Sequence, residues 1–130
     1  MIVIDASVVI EVLLQTNEGV AIGEKLLIRG ASLHAPHLID VEVAQVLRRY
    51  VLRGELYPER ARQALDVLAE FPVTRYAHEP LLGRMWALRD NLTAYDAAYV
   101  ALAEGLRAPF VTRDRRLSAV PGLATPVEIV

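Results

Sequence analysis

The sequence predicts an α/β domain with a central, mostly parallel sheet flanked by helices on both faces. Short β-branched or apolar runs alternate with longer segments of helical periodicity along the whole chain. This alternation is typical of βαβ units, in which each crossover helix packs against the sheet. No repeat, low-complexity segment or linker divides the chain, so residues 1–130 are predicted to form a single domain.

The first part of the chain predicts two strands and three helices. MIVI is a β-branched run typical of a buried strand, and a short buried helix is predicted from Ser7. EGVAIGEKLLIRG has apolar residues at helical spacing and is predicted to end at Gly30, a favourable C-cap. ASLHAP is a candidate second strand, and HLIDVEVAQVLRRYVLRG is the clearest helix, ending at Gly54.

The remaining elements continue the same alternation. YPERARQALDVLAEF is predicted to be a helix with Pro58 near its start, and PVTRY is a candidate strand. EPLLGRMWALRDN predicts an amphipathic helix, whereas TAYDAAYVALAEGL is apolar on nearly all sides, which indicates a buried helix. APFVT and TPVEIV predict the last strands, separated by a turn and short helix in RDRRLSAV.

The composition narrows the classes of function. Hydrophobic residues make up 54% and charged residues 23% of the chain, a globular composition. The net charge of −2 provides no overall attraction for nucleic acid, so a polyanion would need a local basic patch. The absence of cysteine excludes disulfides and thiolate metal sites. No signal peptide or membrane-spanning run is recognisable, so a cytoplasmic domain without membrane association is expected.

Two acidic residues directly follow predicted strands. Asp5 comes after MIVI, and Asp114 comes after APFVT. Sites of open α/β sheets form beyond the carboxyl ends of the strands, near a switch in strand order, so both carboxylates are expected at that edge. Each of them also suits a helix cap when it is considered alone. If Asp5 belongs to a site, Ser7 is the expected cap of the first helix.

Two further acids lie in predicted helices. Thr93 and Asp96 have the spacing of a capping box, but the helix that they begin is so apolar that its first turn should be buried. Glu42 lies within a helix, at the edge of its apolar stripe, where capping is a poor explanation. The alternative is an exposed flank on which Glu42 pairs with Arg49 or Arg53 of the same face.

The four acids together predict a metal site. Carboxylates that meet raise one another's pKa unless a cation is present. Hard oxygen ligands without cysteine or a histidine cluster favour Mg²⁺ or Mn²⁺. His34 and His37 are close in the sequence, but two histidines across a proline-containing loop are a weak pattern for zinc.

Four motifs in order resemble the PIN-domain family, specifically its VapC-type toxins of toxin–antitoxin pairs. They are VIDASVVI, DVEVAQVLRR, TAYDAAYVALAE and FVTRDRRL, and the resemblance covers essentially the whole chain. The resemblance implies a Mg²⁺- or Mn²⁺-dependent endoribonuclease that hydrolyses RNA with a metal-activated water. The residues at the positions of the family's acidic quartet are Asp5, Glu42, Asp96 and Asp114, and those at the adjacent polar positions are Ser7 and Thr112.

This sequence departs from the family pattern at one point. A further acid often follows the last quartet residue in the family, whereas Asp114 is followed here by Arg115, Arg116, Leu117 and Ser118. The choice between one and two metal ions therefore stays open. Arginines are candidates for binding the phosphates of RNA, although each also suits a solvated face. These candidates are Arg49, Arg53, Arg113, Arg115 and Arg116.

The resemblance also implies protein partners: a second copy of the chain in a homodimer, and a cognate antitoxin whose C-terminal segment covers the acidic site. The segment EGVAIGEKLLIRG and the helix after Gly54 are candidate walls of an antitoxin groove. Both segments are equally well explained as core helices.

Two other classes of function compete with the ribonuclease. A phosphotransfer or dehalogenase-like domain would use a strand-end Asp as nucleophile, but it needs a second Asp where Ser7 stands and a lysine much later than Lys25. The other alternative is a metal-free interaction module in which every acid caps a helix.

Overall fold

A computed structural model describes all 130 residues and contains one five-stranded sheet. The strand order is β3-β2-β1-β4-β5, and every neighbouring pair is parallel. The five predicted strands are all present, and the sheet is wholly rather than mostly parallel. Their bounds are β1 Ile2–Ile4, β2 Leu33–Pro36, β3 Val73–Tyr76, β4 Phe110–Thr112 and β5 Val127–Ile129.

Six α-helices connect the strands. Their bounds are α1 Ala6–Leu14, α2 Asn17–Arg29, α3 Leu38–Leu52, α4 Pro58–Glu70, α5 Leu82–Ala87 and α6 Ala94–Leu106. Short 3₁₀ turns cover Glu79–Leu81 and Arg115–Ala119. The helix α2 ends at Gly30, which adopts a left-handed conformation with φ of 60° as the predicted C-cap.

The segment EPLLGRMWALRDN is shorter and less regular than the predicted single helix. A 3₁₀ turn with Pro80 in its first turn leads into α5, which ends after six residues. Arg89 donates to the Trp86 carbonyl at 3.0 Å, and its guanidinium lies 4.8 Å from the centre of the Trp86 ring. A cationic side chain that binds a free carbonyl near the end of a helix stabilises that end.

The order of the strands places helices on both faces of the sheet, as predicted. The crossovers from β1 to β2 and from β2 to β3 run in one direction across the sheet, and the crossover to β4 runs back. Because parallel crossovers are right-handed, α1–α4 cover one face and α5–α6 the other. The strand order therefore switches between β1 and β4.

The core lies between the sheet and these helices. Val8, Val9, Ile39 and Val43 are fully buried on one face. On the other face every residue of α6 from Ala97 to Ala103 is buried, as the apolar sequence of this helix predicted. None of the helices combines the length and the apolar character that a bilayer span requires.

His34 is part of a buried hydrogen-bonded group and not of a metal site. Its Nε2 lies 2.7 Å from Ser32 Oγ and its Nδ1 lies 2.7 Å from Tyr76 Oη. His37 does not share this group, and its ring lies 6.2 Å from that of His78. Burial, followed by the positive charge of the N-terminus, lowers the pKa of His34 below its usual value.

The lowered pKa of His34 predicts a pH-dependent contribution to stability. A depressed pKa in the folded state means that this contribution is complete above about pH 6.5 and is lost as the pH falls through the folded-state pKa. We expect His34→Gln to destabilise the protein at about pH 7.5 and to do so less at about pH 5. Urea unfolding of both proteins across this range measures the difference.

The comparison with the variant is necessary because buried carboxyls with raised pKa values make the folded protein more stable as the pH falls, which opposes the effect of His34. Their effect cancels in the difference between the two proteins. A destabilisation by His34→Gln that grows on acidification would contradict this prediction.

Candidate functional site

A pocket of about 520 Å³ lies at the carboxyl ends of β1 and β4, where the strand order switches. The structure brings all four predicted acids together in its lining: Asp5, Glu42, Asp96 and Asp114. They come from the end of β1, the middle of α3, the first turn of α6 and the residues after β4. Their meeting is a property of the tertiary structure, because no two of them are closer than 18 positions in the sequence.

Asp5 both caps a helix and faces the pocket. It is the N-cap of α1, and its Oδ1 accepts a hydrogen bond from the backbone N–H of Val8 at 3.3 Å. The expectation that Ser7 would be the cap is therefore wrong. Ser7 lies inside the first turn, and its hydroxyl donates to Asp5 Oδ1 at 2.5 Å. A carboxylate has enough lone pairs to accept these bonds and still face a cation.

Two hydroxyl groups join the end of β4 to the end of β1. Thr112, which is fully buried, donates from Oγ1 to Asp5 Oδ2 at 2.6 Å and accepts from the Asp114 N–H at 3.0 Å. Ser7 Oγ accepts from the Arg113 N–H at 3.0 Å. The positions of Ser7 and Thr112 next to the acids thus hold the carboxylate of Asp5 in a defined orientation.

Glu42 is held by a residue that the sequence did not single out. Tyr99 donates from its hydroxyl to Glu42 Oε1 at 2.6 Å, and its ring stacks on Phe110 at 5.8 Å. Tyr99 is only 2% exposed, and burial followed by the charge of Glu42 raises its pKa, so the hydroxyl stays protonated. Its sequence context indicated a core residue. The available signal was that a buried tyrosine needs a partner for its hydroxyl.

Asp96 takes part in a one-sided cap. Thr93 is the N-cap of α6, and its Oγ1 accepts from the Asp96 N–H at 3.2 Å. The carboxylate of Asp96 makes no return bond to the Thr93 N–H, so the predicted capping box is half formed. This leaves the carboxylate oxygens of Asp96 available to the pocket.

Asp114 differs from the other three acids because an arginine pairs with it. Arg116 Nη2 lies 2.5 Å from Asp114 Oδ2, and Arg116 Nε lies 3.0 Å from Oδ1. Asp114 also caps the following 3₁₀ turn by accepting from the Arg116 N–H at 3.1 Å. Arg116 accordingly lowers the pKa of Asp114 below its usual value.

The other three carboxyls are less acidic than free ones. Burial raises the pKa of Asp5 despite the hydrogen bonds from Ser7 and Thr112. Burial also raises the pKa of Glu42, and the negative charges of Asp5 and Asp96 add to this effect. These shifts indicate negative charges close together in a poorly hydrated place.

Asp96 follows the same pattern. Burial raises its pKa, the charge of Asp114 raises it further, and the Thr93 hydroxyl and Arg116 act in the opposite direction. No lysine or arginine forms an ion pair with Asp5, Glu42 or Asp96. The pocket therefore carries more negative than positive charge: Arg49 lines it without forming an ion pair, and Asp114 is the only one of the four acids that pairs with an arginine.

The arginines predicted as candidates for RNA binding differ in their surroundings. Arg49 lines the pocket, and Arg53 and Arg115 are exposed without an ion pair. Arg113 pairs with Glu11 at 2.9 Å. Glu42 binds Tyr99 and makes no ion pair with an arginine of its own helix, so the exposed-flank explanation for Glu42 does not hold.

The donor set fits a hard divalent cation. Carboxylate oxygens are the ligands that Mg²⁺ and Mn²⁺ prefer. A cation would favour the ionised forms that burial opposes in Asp5, Glu42 and Asp96, and would relieve the repulsion that further raises the pKa values of Glu42 and Asp96. No three acidic or histidine side chains are arranged as a complete ligand set in this structure. No lysine lines the pocket, as a phosphotransfer site would need.

Comparisons with known proteins are consistent with this geometry. A PIN domain family model matches residues 2–123. The chain is 44% identical over 129 residues to Ribonuclease VapC1 of Mycobacterium tuberculosis, and the match covers 98% of this chain and 96% of that protein. It is 45% identical over 130 residues to Ribonuclease VapC9 of the same species, and this match covers 100% of this chain and 98% of that protein.

A solved structure extends the comparison to the fold. The chain resembles part of a toxin–antitoxin complex from Klebsiella pneumoniae with a TM-score of 0.65. The two chains are 22% identical, and the match covers 99% of this chain and 100% of the other.

Proposed function

This chain belongs to the VapC group of the PIN-domain family, and we propose that it is a metal-dependent endoribonuclease, the toxin of a type II toxin–antitoxin pair. The observation that carries the proposal is the convergence of four carboxylates in one pocket at the switch point of the sheet. Three of them have raised pKa values and no cationic partner. The ribonuclease names of its relatives support RNA as the substrate.

The candidate ligands of Mg²⁺ or Mn²⁺ are Asp5, Glu42, Asp96 and Asp114. A bound divalent ion supplies a water of lowered pKa and neutralises charge on the scissile phosphate. The residues contribute orientation: Ser7 and Thr112 hold Asp5, and Tyr99 holds Glu42.

The reaction is a hydrolysis in which the oxygen of a water bonds to phosphorus, the bond to the leaving oxygen breaks, and the leaving oxygen takes up a proton from solvent. Glu42 Oε1 is engaged by Tyr99, so Oε2 is the proposed acceptor of the water's proton. Its raised pKa suits that role, because a base is most effective when its pKa approaches the working pH. Arg49 in the pocket lining is positioned to contact a phosphate beside the cleaved bond.

We further propose that an antitoxin and a second copy of the chain are partners. One wall of an apolar groove of about 520 Å³ is formed by α2, whose Leu27 lines the groove and is 82% exposed. Exposed apolar surface of this kind suits an amphipathic segment of a protein partner. Light scattering of the purified chain, with and without the co-expressed antitoxin, tests both partners.

Cleavage of RNA in the presence of Mg²⁺ or Mn²⁺ tests the proposed function directly. We expect the purified chain to cut members of a panel of structured RNAs with either ion and to lose this activity in EDTA. Equal cleavage with and without EDTA would contradict metal dependence. No cleavage of any panel member by metal-loaded protein would count against the ribonuclease itself.

Tyr99→Phe tests the orientation of Glu42. Loss of the hydroxyl removes a hydrogen bond that lowers the pKa of Glu42 and orients its carboxylate, so this pKa rises further and the orientation is lost. We expect the cleavage rate at about pH 7 to fall roughly tenfold, since hydrogen bonds to charged groups contribute about 1.5–3 kcal/mol. The acid limb of the pH–rate profile should move to higher pH.

Tyr95→Phe is the matched control, because Tyr95 lines the same pocket, is 62% exposed and makes no side-chain hydrogen bond. It should leave the profile in place. An unchanged acid limb in Tyr99→Phe would show that Glu42 does not titrate as the base.

A further inference from the structure

The ion pair between Arg116 and Asp114 occupies both oxygens of a proposed metal ligand. The guanidinium contacts Oδ1 through Nε at 3.0 Å and Oδ2 through Nη2 at 2.5 Å. The Arg116 backbone N–H adds a third bond to Oδ1 at 3.1 Å. Bidentate, charge-assisted pairs of this kind are directional and short.

The pair lies at the boundary between the pocket and solvent. The side chain of Asp114 is 27% exposed, whereas that of Arg116 is 84% exposed. Apart from its contacts with Asp114, the guanidinium makes no hydrogen bond, so only this pair and bulk water determine its position. An arginine with such freedom exchanges readily between partners, because exposed ion pairs are weak.

We propose that Arg116 is an internal counter-ion that competes with a divalent metal ion for Asp114. The inference rests on the proposed function, since it concerns a ligand of the proposed metal site. The neutral donors that hold Asp5 leave it able to face a cation, whereas the positive charge of the guanidinium at Asp114 repels one. Asp114 therefore becomes available to the ion when the guanidinium leaves, and the freed Arg116 can then contact a phosphate of the RNA.

Two observations agree with this competition. The other three acids have no cationic partner, so the pair is specific to Asp114. The charge of Arg116 also acts on Asp96 across the pocket, which places the arginine within electrostatic reach of a second proposed ligand.

Mn²⁺ binding by the purified chain, measured by isothermal titration calorimetry without RNA, tests the proposal. We expect Arg116→Ala to bind Mn²⁺ roughly threefold to tenfold more tightly than the wild type, because the competing partner is gone. Arg115→Ala is the matched control: it removes the same charge from the adjacent exposed residue, which makes no ion pair. It should change the affinity less than twofold, which is roughly the long-range effect of one screened surface charge.

A second measurement follows the arginine itself in the wild-type protein. The Nε–H resonance of Arg116 should shift as Mg²⁺ is titrated, because the bond to Asp114 is broken. Arg75 serves as the internal reference, since it makes a comparable bidentate pair with Asp40 outside the pocket. Its resonance should stay in place.

The outcomes separate this inference from the proposed function. Unchanged Mn²⁺ affinity in Arg116→Ala, equal tightening by Arg115→Ala, or a stationary Arg116 resonance during Mg²⁺ binding would each overturn the competition and leave the metal site standing. If neither the wild type nor the variants bind Mn²⁺, both this inference and the proposed metal-dependent function are overturned.

Discussion

Asp5→Asn is expected to abolish RNA cleavage while leaving the protein folded. The change removes one charge from the proposed metal site, and loss of metal-derived stabilisation worth several kcal/mol corresponds to a rate at least about 1000-fold lower. Asn is as good an N-cap as Asp, so α1 keeps its capping bond. An Asn amide cannot accept hydrogen bonds on both of its terminal atoms, so the bond from Thr112 is lost, but burial also disfavours the charge of Asp5 and offsets part of this loss. We expect the free energy of unfolding to fall by about 1–2 kcal/mol.

Single-turnover cleavage and Mn²⁺ titration of the variant measure both consequences. Asp66→Asn is the matched control, because Asp66 lies on the exposed face of α4 and pairs only with Arg62. It should cleave and bind at the wild-type level. A folded Asp5→Asn that still cuts RNA within tenfold of the wild-type rate would remove Asp5 from the catalytic site.

Gly19→Ala should cause the largest loss of stability among small substitutions. A Cβ at this position would lie 1.9 Å from the carbonyl oxygen of Glu11, because α2 crosses the end of α1 with no room for a side chain. The two nearest atoms belong to the backbone of Glu11, so relief requires the two helices to separate. We expect the free energy of unfolding to fall by about 3 kcal/mol, near the upper end for overpacking.

Gly23→Ala, one helical turn further along α2, provides the opposite expectation. A Cβ there would have no atom within 4 Å, so the substitution adds helix propensity without a clash. We expect it to stabilise the protein by about 0.5–1 kcal/mol. Urea unfolding of both variants measures the contrast, and a Gly19→Ala protein as stable as the wild type would contradict the close approach of α1 and α2.

The excess negative charge of the pocket lowers the stability of the folded protein, but it favours binding of a cation. Three carboxyls with raised pKa values destabilise the folded state when they ionise, because burial opposes the charge of each, and repulsion by neighbouring carboxylates adds to this for Glu42 and Asp96. Such an arrangement is typical of a site that awaits a cation or a substrate. The hydrogen bonds from Ser7, Thr112 and Tyr99 maintain the geometry despite this cost.

Much of the fold was predictable because its signals are local. β-Branched runs, helical spacing and a C-cap at Gly30 each depend on residues within a few positions of one another. The regular elements accordingly fall where the sequence places them. The exception is α5, whose end is stabilised by an arginine that binds a carbonyl and an aromatic ring of the preceding turn.

The candidate site was predictable in its members but not in its contacts. The positions of Asp5 and Asp114 after two strands indicated one edge of the sheet, and the structure places both there. The choice of Ser7 as cap was wrong because sequence spacing cannot decide between two neighbouring residues that both accept hydrogen bonds. Tyr99 resembled a core residue because its role depends on a partner in another helix.

The sequence by itself determined the alternation of strands and helices, the set of acids and their order along the chain. Only the tertiary structure decided which partner each acid has: hydroxyls for Asp5, a tyrosine for Glu42 and an arginine for Asp114. The reason is the separation along the sequence over which each interaction acts. Periodicity and capping act over three or four positions, whereas the bond between Thr112 and Asp5 spans 107 positions and requires two atoms to meet within 2.6 Å. That distance is set by the packing of the whole sheet.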